Sequence, residues 1–192
     1  GEATTHEPAN IPVPKGDPFF DPMGTGTMTI GFNRSGYDSN TGGAHGTPRQ
    51  QTNEITPFID ASVIYGSDQT RNDFIRGEGS YLKTSEDGQY LPFNTENLPN
   101  APSDSSAFYL AGDVRANENL ALLSMHTVFV REHNRLVDEI KHKHPEYSDE
   151  QLYQKAKMIV EAEIQSITYN EFLPLLLGKN GLDEYKGYDS SV

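Results

Sequence analysis

One stripe of side chains in the C-terminal half limits the fold of this sequence more than any other feature. Set about 100° apart, as on a helix, Leu122, His126, Phe129, His133, Leu136 and Ile140 fall within about 40° of one line. A stripe that long needs something to lie against. After the breaker HPEYSDEQ, Ser148 with Gln151 has the form of a capping box. Leu152, Ala156, Ile159, Glu163 and Ile167 then share one side of a second helix until Pro174 ends or kinks it. The reading is a long helix from near DVRANEN to about His142, a short connection and a second long helix, together a helical hairpin.

The rest of the chain is different in kind. Pro, Gly, Asn, Asp and Thr dominate from Gly1 to Asn53, where only Met28, Ile30 and Phe32 alternate long enough to suggest a strand of about five residues. Order rises at EITPFIDASVIYGSD, and QTRNDFIRG reads as a short helix stopped by Gly77. Another loop runs from Gly88 to Ser106, marked by Pro92, Pro99 and Pro102. Without tyrosine and with glycine, the apolar share is roughly 38%, against ~45–50% in an average globular chain. That is thin for a self-sufficient core, so the helices are expected to want further partners.

Charge and composition remove several function classes. A net charge of −13 repels nucleic acid and anionic lipid. No apolar run approaches the ~18 residues of a membrane span. Zero Cys excludes disulfides and thiolate chemistry. There is no serine nucleophile elbow, and GTGT near Gly24 lacks the Lys and helix of a phosphate loop.

Three constellations carry possible chemistry. Thr56, Phe58, Asp60 and Ser62 are spaced by two, so an extended segment would turn all four the same way. That spacing reads first as a strand with a polar face. Its hydroxyl, carboxylate and carbonyl oxygens also suit a hard cation such as Ca²⁺, with Phe58 giving only its carbonyl. In DVRANE, a helix already wound would bring Arg115 and Glu118 into register with the histidine stripe. They read either as an i,i+3 ion pair at the helix entry or as interior charges that need a cofactor or bound anion. His126 and His133 lie two turns apart, ~10.5 Å, too far to share an ion, and read as satisfied core histidines. Glu139 and His142 have the Glu-x-x-His spacing of di-iron bundles but no second such pair, and His142 and His144 read as a solvated helix end.

Taken in order, TPFIDASVIYGSD, LAGDVRANEN and SMHTVFVREHNRL resemble the animal haem peroxidases, the family of myeloperoxidase, lactoperoxidase and peroxinectins, most closely its Cys-free bacterial members. GDPFFDP resembles the loop after the family's distal haem segment, and IVEAEIQSITYNEFLPLLLG resembles its next long helix. The resemblance implies a mainly α fold, with residues 1–192 as part of one haem peroxidase domain. Residues 1–106 would be mostly loops with a calcium loop at 54–68, and 107–192 would be helical.

Residue by residue, Arg115 matches the family's distal arginine, which contacts haem-bound peroxide and stabilises charge as the O–O bond breaks. Glu118 matches the glutamate that can be esterified to a methyl of haem b. Thr56, Phe58, Asp60 and Ser62 match the calcium loop, whose further carboxylate is the Asp beside the distal His. Asn119 stands where myeloperoxidase has its sulfonium-forming Met, so that link is not expected. The family's distal and proximal histidines lie upstream and downstream of the matching stretches, and His6, His45, His126, His133, His142 and His144 match neither.

The chain is therefore expected to be a fragment, inactive alone, of a haem-dependent peroxidase. That enzyme would use hydrogen peroxide and small reducing substrates, be secreted, and depend on the remainder of its domain. The alternatives are fatty-acid dioxygenase chemistry within the superfamily, or a peroxidase-like adhesive or structural module without catalysis.

Overall fold

The expected hairpin is present in the structure, a computed structural model that describes residues 4–43, 46–53, 55–178 and 180–188. His45 and Glu54, the first residue of the expected calcium loop, lie outside the described residues. The chain forms two compact units, Gly1–Pro57 and Phe58–Val192. In chain order the strands are β1 (Thr4–Pro8), β2 (Ile11–Pro12), β3 (Thr29–Ile30) and β4 (Asn33–Ser35). The α-helices are α1 (Ser62–Tyr65), α2 (Gln69–Ile75), α3 (Leu120–Lys143), α4 (Asp149–Ile167) and α5 (Leu173–Leu177).

The first unit is irregular, as its composition predicts. Its strands make two antiparallel pairs, β1 with β4 and β2 with β3. The alternation of Met28, Ile30 and Phe32 yields only a two-residue ladder, and all three side chains stay exposed. Order in this unit comes instead from polar groups. Buried Asp21 accepts the backbone N–H groups of Gly16, Thr25 and Gly26 and the Thr25 hydroxyl, at 2.8–3.0 Å. The Gly16 and Gly26 bonds, aided by Thr25 and against a smaller opposing effect of burial, hold its carboxyl down at about 2. Each donor is a backbone or hydroxyl group, so one carboxylate fixes the whole turn from Gly16 to Gly26.

In the second unit α3 and α4 pack side by side. His126, His133, Leu136 and Ile140 of the α3 stripe are buried together with Val130 and Val137. Opposite them, α4 buries Leu152, Tyr153, Ala156 and Val160. The Ser148 hydroxyl and the Gln151 side chain close the capping box, satisfying donors the first turn leaves without partners. The stripe on α4 weakens toward its end: Ile159 and Glu163 are half-buried and Ile167 is exposed. Beyond Ile167 the helix widens into a π turn, Thr168–Phe172, before α5. Pro174 lacks the N–H a regular helix needs and its ring crowds the carbonyl of Asn170, and the wider turn absorbs both defects.

Two local expectations fail. The long helix starts at Leu120 rather than near Asp113. Asn119 is extended and its side chain accepts the Leu122 N–H, so it caps α3, and only a single 3₁₀ turn, Ala116–Glu118, precedes it. Nor is 56–62 an extended segment. The chain bends from Ile55 to Asp60, Ala61 takes a left-handed conformation at φ 54°, and Ser62 begins α1. The Asp60 carboxylate accepts the Ser62 N–H at 2.9 Å, a turn that competes with strand geometry. The two-residue alternation of side chains is lost with it.

Candidate functional site: the Arg115 turn

The segment LAGDVRANE runs through the second unit as a buried strut ending in an open turn. Leu110, Ala111, Gly112 and Asp113 are buried, Arg115 is half-buried and Glu118 is exposed. Gly112 lies hard against α1. A Cβ there would sit 2.5 Å from the Ile64 carbonyl carbon, 2.6 Å from the Val63 oxygen and 2.7 Å from the Gly66 nitrogen. These are backbone atoms that cannot swing aside, so any side chain would push the strut off the helix.

Around the strut, polar side chains take over the work of regular secondary structure. The guanidinium of buried Arg71 donates to the carbonyls of Ala111, at 2.7 Å, and Pro99. Asn117 accepts from the Tyr109 N–H at 3.1 Å and donates to the Tyr109 carbonyl at 2.8 Å, as a neighbouring strand would. Asn100 donates to the same carbonyl at 3.0 Å. Loop backbone otherwise deprived of partners is thereby satisfied by side chains.

Arg115 is aimed by Asp113. The Asp113 carboxylate accepts the Arg115 N–H at 2.8 Å, its Nε–H at 3.0 Å and an Nη–H at 2.8 Å. Burial pushes the Asp113 carboxyl up, but the hydrogen bonds and charge of Arg115, with a smaller contribution from His126, hold it below the usual carboxylate range. The Arg115 side chain remains 43% exposed. A permanently charged, planar donor is thus held by Asp113 and stays partly exposed, just ahead of the 3₁₀ turn that contains Glu118. The helix-entry ion pair expected of Arg115 and Glu118 is replaced by Asp113–Arg115, because the residues are not on the α3 surface. Asp113, Arg71, Gly112 and the bracing asparagines were not singled out from sequence, although Asp-x-Arg spacing in GDVR was there to be read.

The other expected residues divide between the units. Thr56 belongs to the first; Phe58, Asp60 and Ser62 belong to the second, with Phe58 exposed and the other two half-buried. No group of three His, Asp or Glu side chains among the described residues is placed to hold a metal ion. His133 is a satisfied core histidine, with Nδ1 2.9 Å from the Tyr65 hydroxyl and Nε2 3.0 Å from the Ser80 carbonyl. His126 meets that expectation only halfway. Its Nδ1 lies 2.8 Å from the Leu122 carbonyl, and its buried Nε2 has no partner among the described residues. His142 is exposed, and His144 stacks on Tyr147 beside Glu146. Glu139 is engaged by Arg135 and Lys143, which accounts for the Glu-x-x-His spacing as a surface charge ladder.

The model of the animal haem peroxidase family matches residues 1–192. The chain is 36% identical to lactoperoxidase of Mesocricetus auratus, over 95% of this chain and 27% of that protein. Among solved structures it superposes on peroxidase A from Dictyostelium discoideum with a TM-score of 0.82 at 31% identity, covering 98% of this chain and 39% of that one. It also superposes on a fatty acid alpha-dioxygenase of Oryza sativa, with a TM-score of 0.67 at 25% identity, covering 94% of this chain and 27% of that one. In each case the chain spans well under half the length of its relative.

Proposed function

This chain belongs to the animal haem peroxidase family, and on that premise we propose that it forms the arginine side of a haem peroxidase site in a longer protein. That protein would oxidise small donors with hydrogen peroxide. Both units are read as segments of one peroxidase domain, and the distal and proximal histidines are assigned to segments outside these 192 residues, since none of the histidines here matches them.

The observation that carries the reading is the Arg115 turn. A guanidinium held by a buried carboxylate and partly open to its surroundings is a preorganised donor for an oxygen that gains negative charge. Asp113 fixes the planar fork by two hydrogen bonds and accepts the Arg115 backbone N–H as well, so little side-chain freedom remains to be lost when an oxygen arrives. Glu118, exposed in the same segment, is assigned the ester to a haem b methyl on the resemblance of DVRANE to the family's motif. Haem, when bound, supplies the redox chemistry. The task assigned to Arg115 is to bind and polarise peroxide oxygen through its N–H groups, and that assigned to Asp113 is to orient it. Calcium is assigned to Thr56, Phe58, Asp60 and Ser62 on the resemblance of TPFIDAS to the family's loop, and an extracellular location rests on the same resemblance.

The test uses the full-length protein. Arg115→Ala should slow the reaction with peroxide by roughly 10²–10³-fold, the usual cost of removing one preorganised donor, while haem content stays near wild type. Stopped-flow rates equal to wild type would remove Arg115 from this role. The superposition on a fatty acid dioxygenase favours a second reading, oxygenation of a fatty acid. Oxygen uptake on adding a fatty acid, without donor oxidation by peroxide, would select it.

A further inference from the structure

The stretch from Phe74 to Tyr109 surrounds a cavity of about 760 Å³. Its floor is a stack of three rings. Phe93 and Tyr109 lie with centroids 4.8 Å apart and planes 11° from parallel, and Tyr90 and Tyr109 lie 6.3 Å apart at 26°. Tyr109 is shared by both pairs, and Tyr90 and Phe93 are about half exposed. The backbone holds the stack in place: Phe93 bridges to Tyr109, the Leu110 N–H donates to the Pro92 carbonyl at 2.8 Å, and the Tyr90 N–H donates to the Ser85 hydroxyl at 2.9 Å. Aromatic rings tied to one another by their backbone and partly bare around a cavity of this volume form a binding surface.

The charge around the stack selects the ligand. Glu86, Asp87 and Glu96 line the cavity against one cation, Lys83, whose ammonium already lies 4.4 Å above the Phe74 ring. Asp87 is held ionised, because the Ser85 hydroxyl at 2.6 Å and the Gln89 N–H at 3.0 Å both donate to it. Ring faces carry negative quadrupole density, so the rings and the carboxylates attract the same kind of guest.

We propose that this cavity binds a small arylalkylammonium, with its ring on the Tyr90–Tyr109–Phe93 stack and its ammonium toward Glu86 and Glu96. The site is independent of haem. It is nevertheless adjacent to the Arg115 turn, since Asn117 of that turn holds both backbone polar groups of Tyr109.

Isothermal titration of the full-length protein with three probes separates the contributions. Tyramine carries ring and ammonium, 4-hydroxyphenylacetate carries the ring with the opposite charge, and butylammonium carries the charge alone. Tyramine should bind with a dissociation constant of about a millimolar or tighter, a modest efficiency for a ligand of roughly ten heavy atoms. Each of the other two should bind at least about tenfold more weakly. Tyr90→Ala with Phe93→Ala should weaken tyramine about tenfold or more, Tyr90→Phe should not, and Glu86→Gln with Glu96→Gln should abolish its advantage over 4-hydroxyphenylacetate. The proposal is overturned if tyramine fails to bind, if either control binds as well, or if tyramine binding survives the ring substitutions in a variant whose melting temperature matches wild type.

Discussion

Burial of His133 should make this protein lose stability as the pH falls from neutral toward 4, well before its carboxylates titrate. His133 is wholly buried, and the Ser80 carbonyl opposite Nε2 can only accept, so Nε2 carries the proton. Nδ1 is then an acceptor for the Tyr65 hydroxyl, and the ring is neutral. Burial pushes the imidazole down to about 4; the Ser80 hydrogen bond opposes the shift and the charge of Arg76 adds to it. In the unfolded chain the same ring titrates near 6.5. Between those values the unfolded state binds the proton and the folded state does not, so unfolding is favoured as pH drops. The stability tied to the neutral ring is complete above pH 6.5 and exhausted near pH 4. A shift of 2.5 units at about 1.4 kcal/mol each gives about 3 kcal/mol in all, and about 2 kcal/mol of it should be gone by pH 5. Urea unfolding of wild type and His133→Gln at pH 7, 6 and 5 isolates the effect, because every other titrating group is common to both. Wild type should lose about 2 kcal/mol more than the variant over that range. Equal losses in the two proteins would refute the neutral, buried assignment.

Three further outcomes follow from local geometry. Gly112→Ala should destabilise the protein by ~1–3 kcal/mol through overpacking against α1 and slow its reaction with peroxide by displacing Arg115, which thermal melts and stopped-flow rates would show. Asp60→Ala should cost more stability in calcium than in excess chelator; equal losses in melting curves under the two conditions would remove calcium from the role of Asp60. Ser148→Ala should cost about 1 kcal/mol by opening the capping box of α4, and a variant melting with wild type would show the box to be energetically idle.

The helical hairpin was legible because its information is local and periodic. The Leu122–Ile140 stripe and the Ser148–Gln151 cap each specify backbone geometry within a few residues, and the structure realises both. Family membership was legible for a related reason, since ordered motifs survive as strings. The strand expected at 28–32 is realised only as the short β3, and the extended run expected at 56–62 is replaced by a bend, because short alternations depend on what they pair with and a side-chain turn at Asp60 outcompetes pairing.

The Arg115 turn could be read only in part. Its arginine and glutamate stood out, but their partners were assigned by helical spacing in a stretch that Asn119 keeps out of the helix. What holds Arg115 is Asp113, and what holds Asp113 in place is a strut braced by Arg71 from 40 residues away and pressed against Ile64 through the bare backbone of Gly112. Sequence by itself determined the long helical hairpin and the segment that carries Arg115 and Glu118. Tertiary structure decided where the Asp113–Arg115 pair sits, because the burial of Asp113 beside Arg115 depends on contacts its strut makes with Arg71 and α1, segments that no local period brings together.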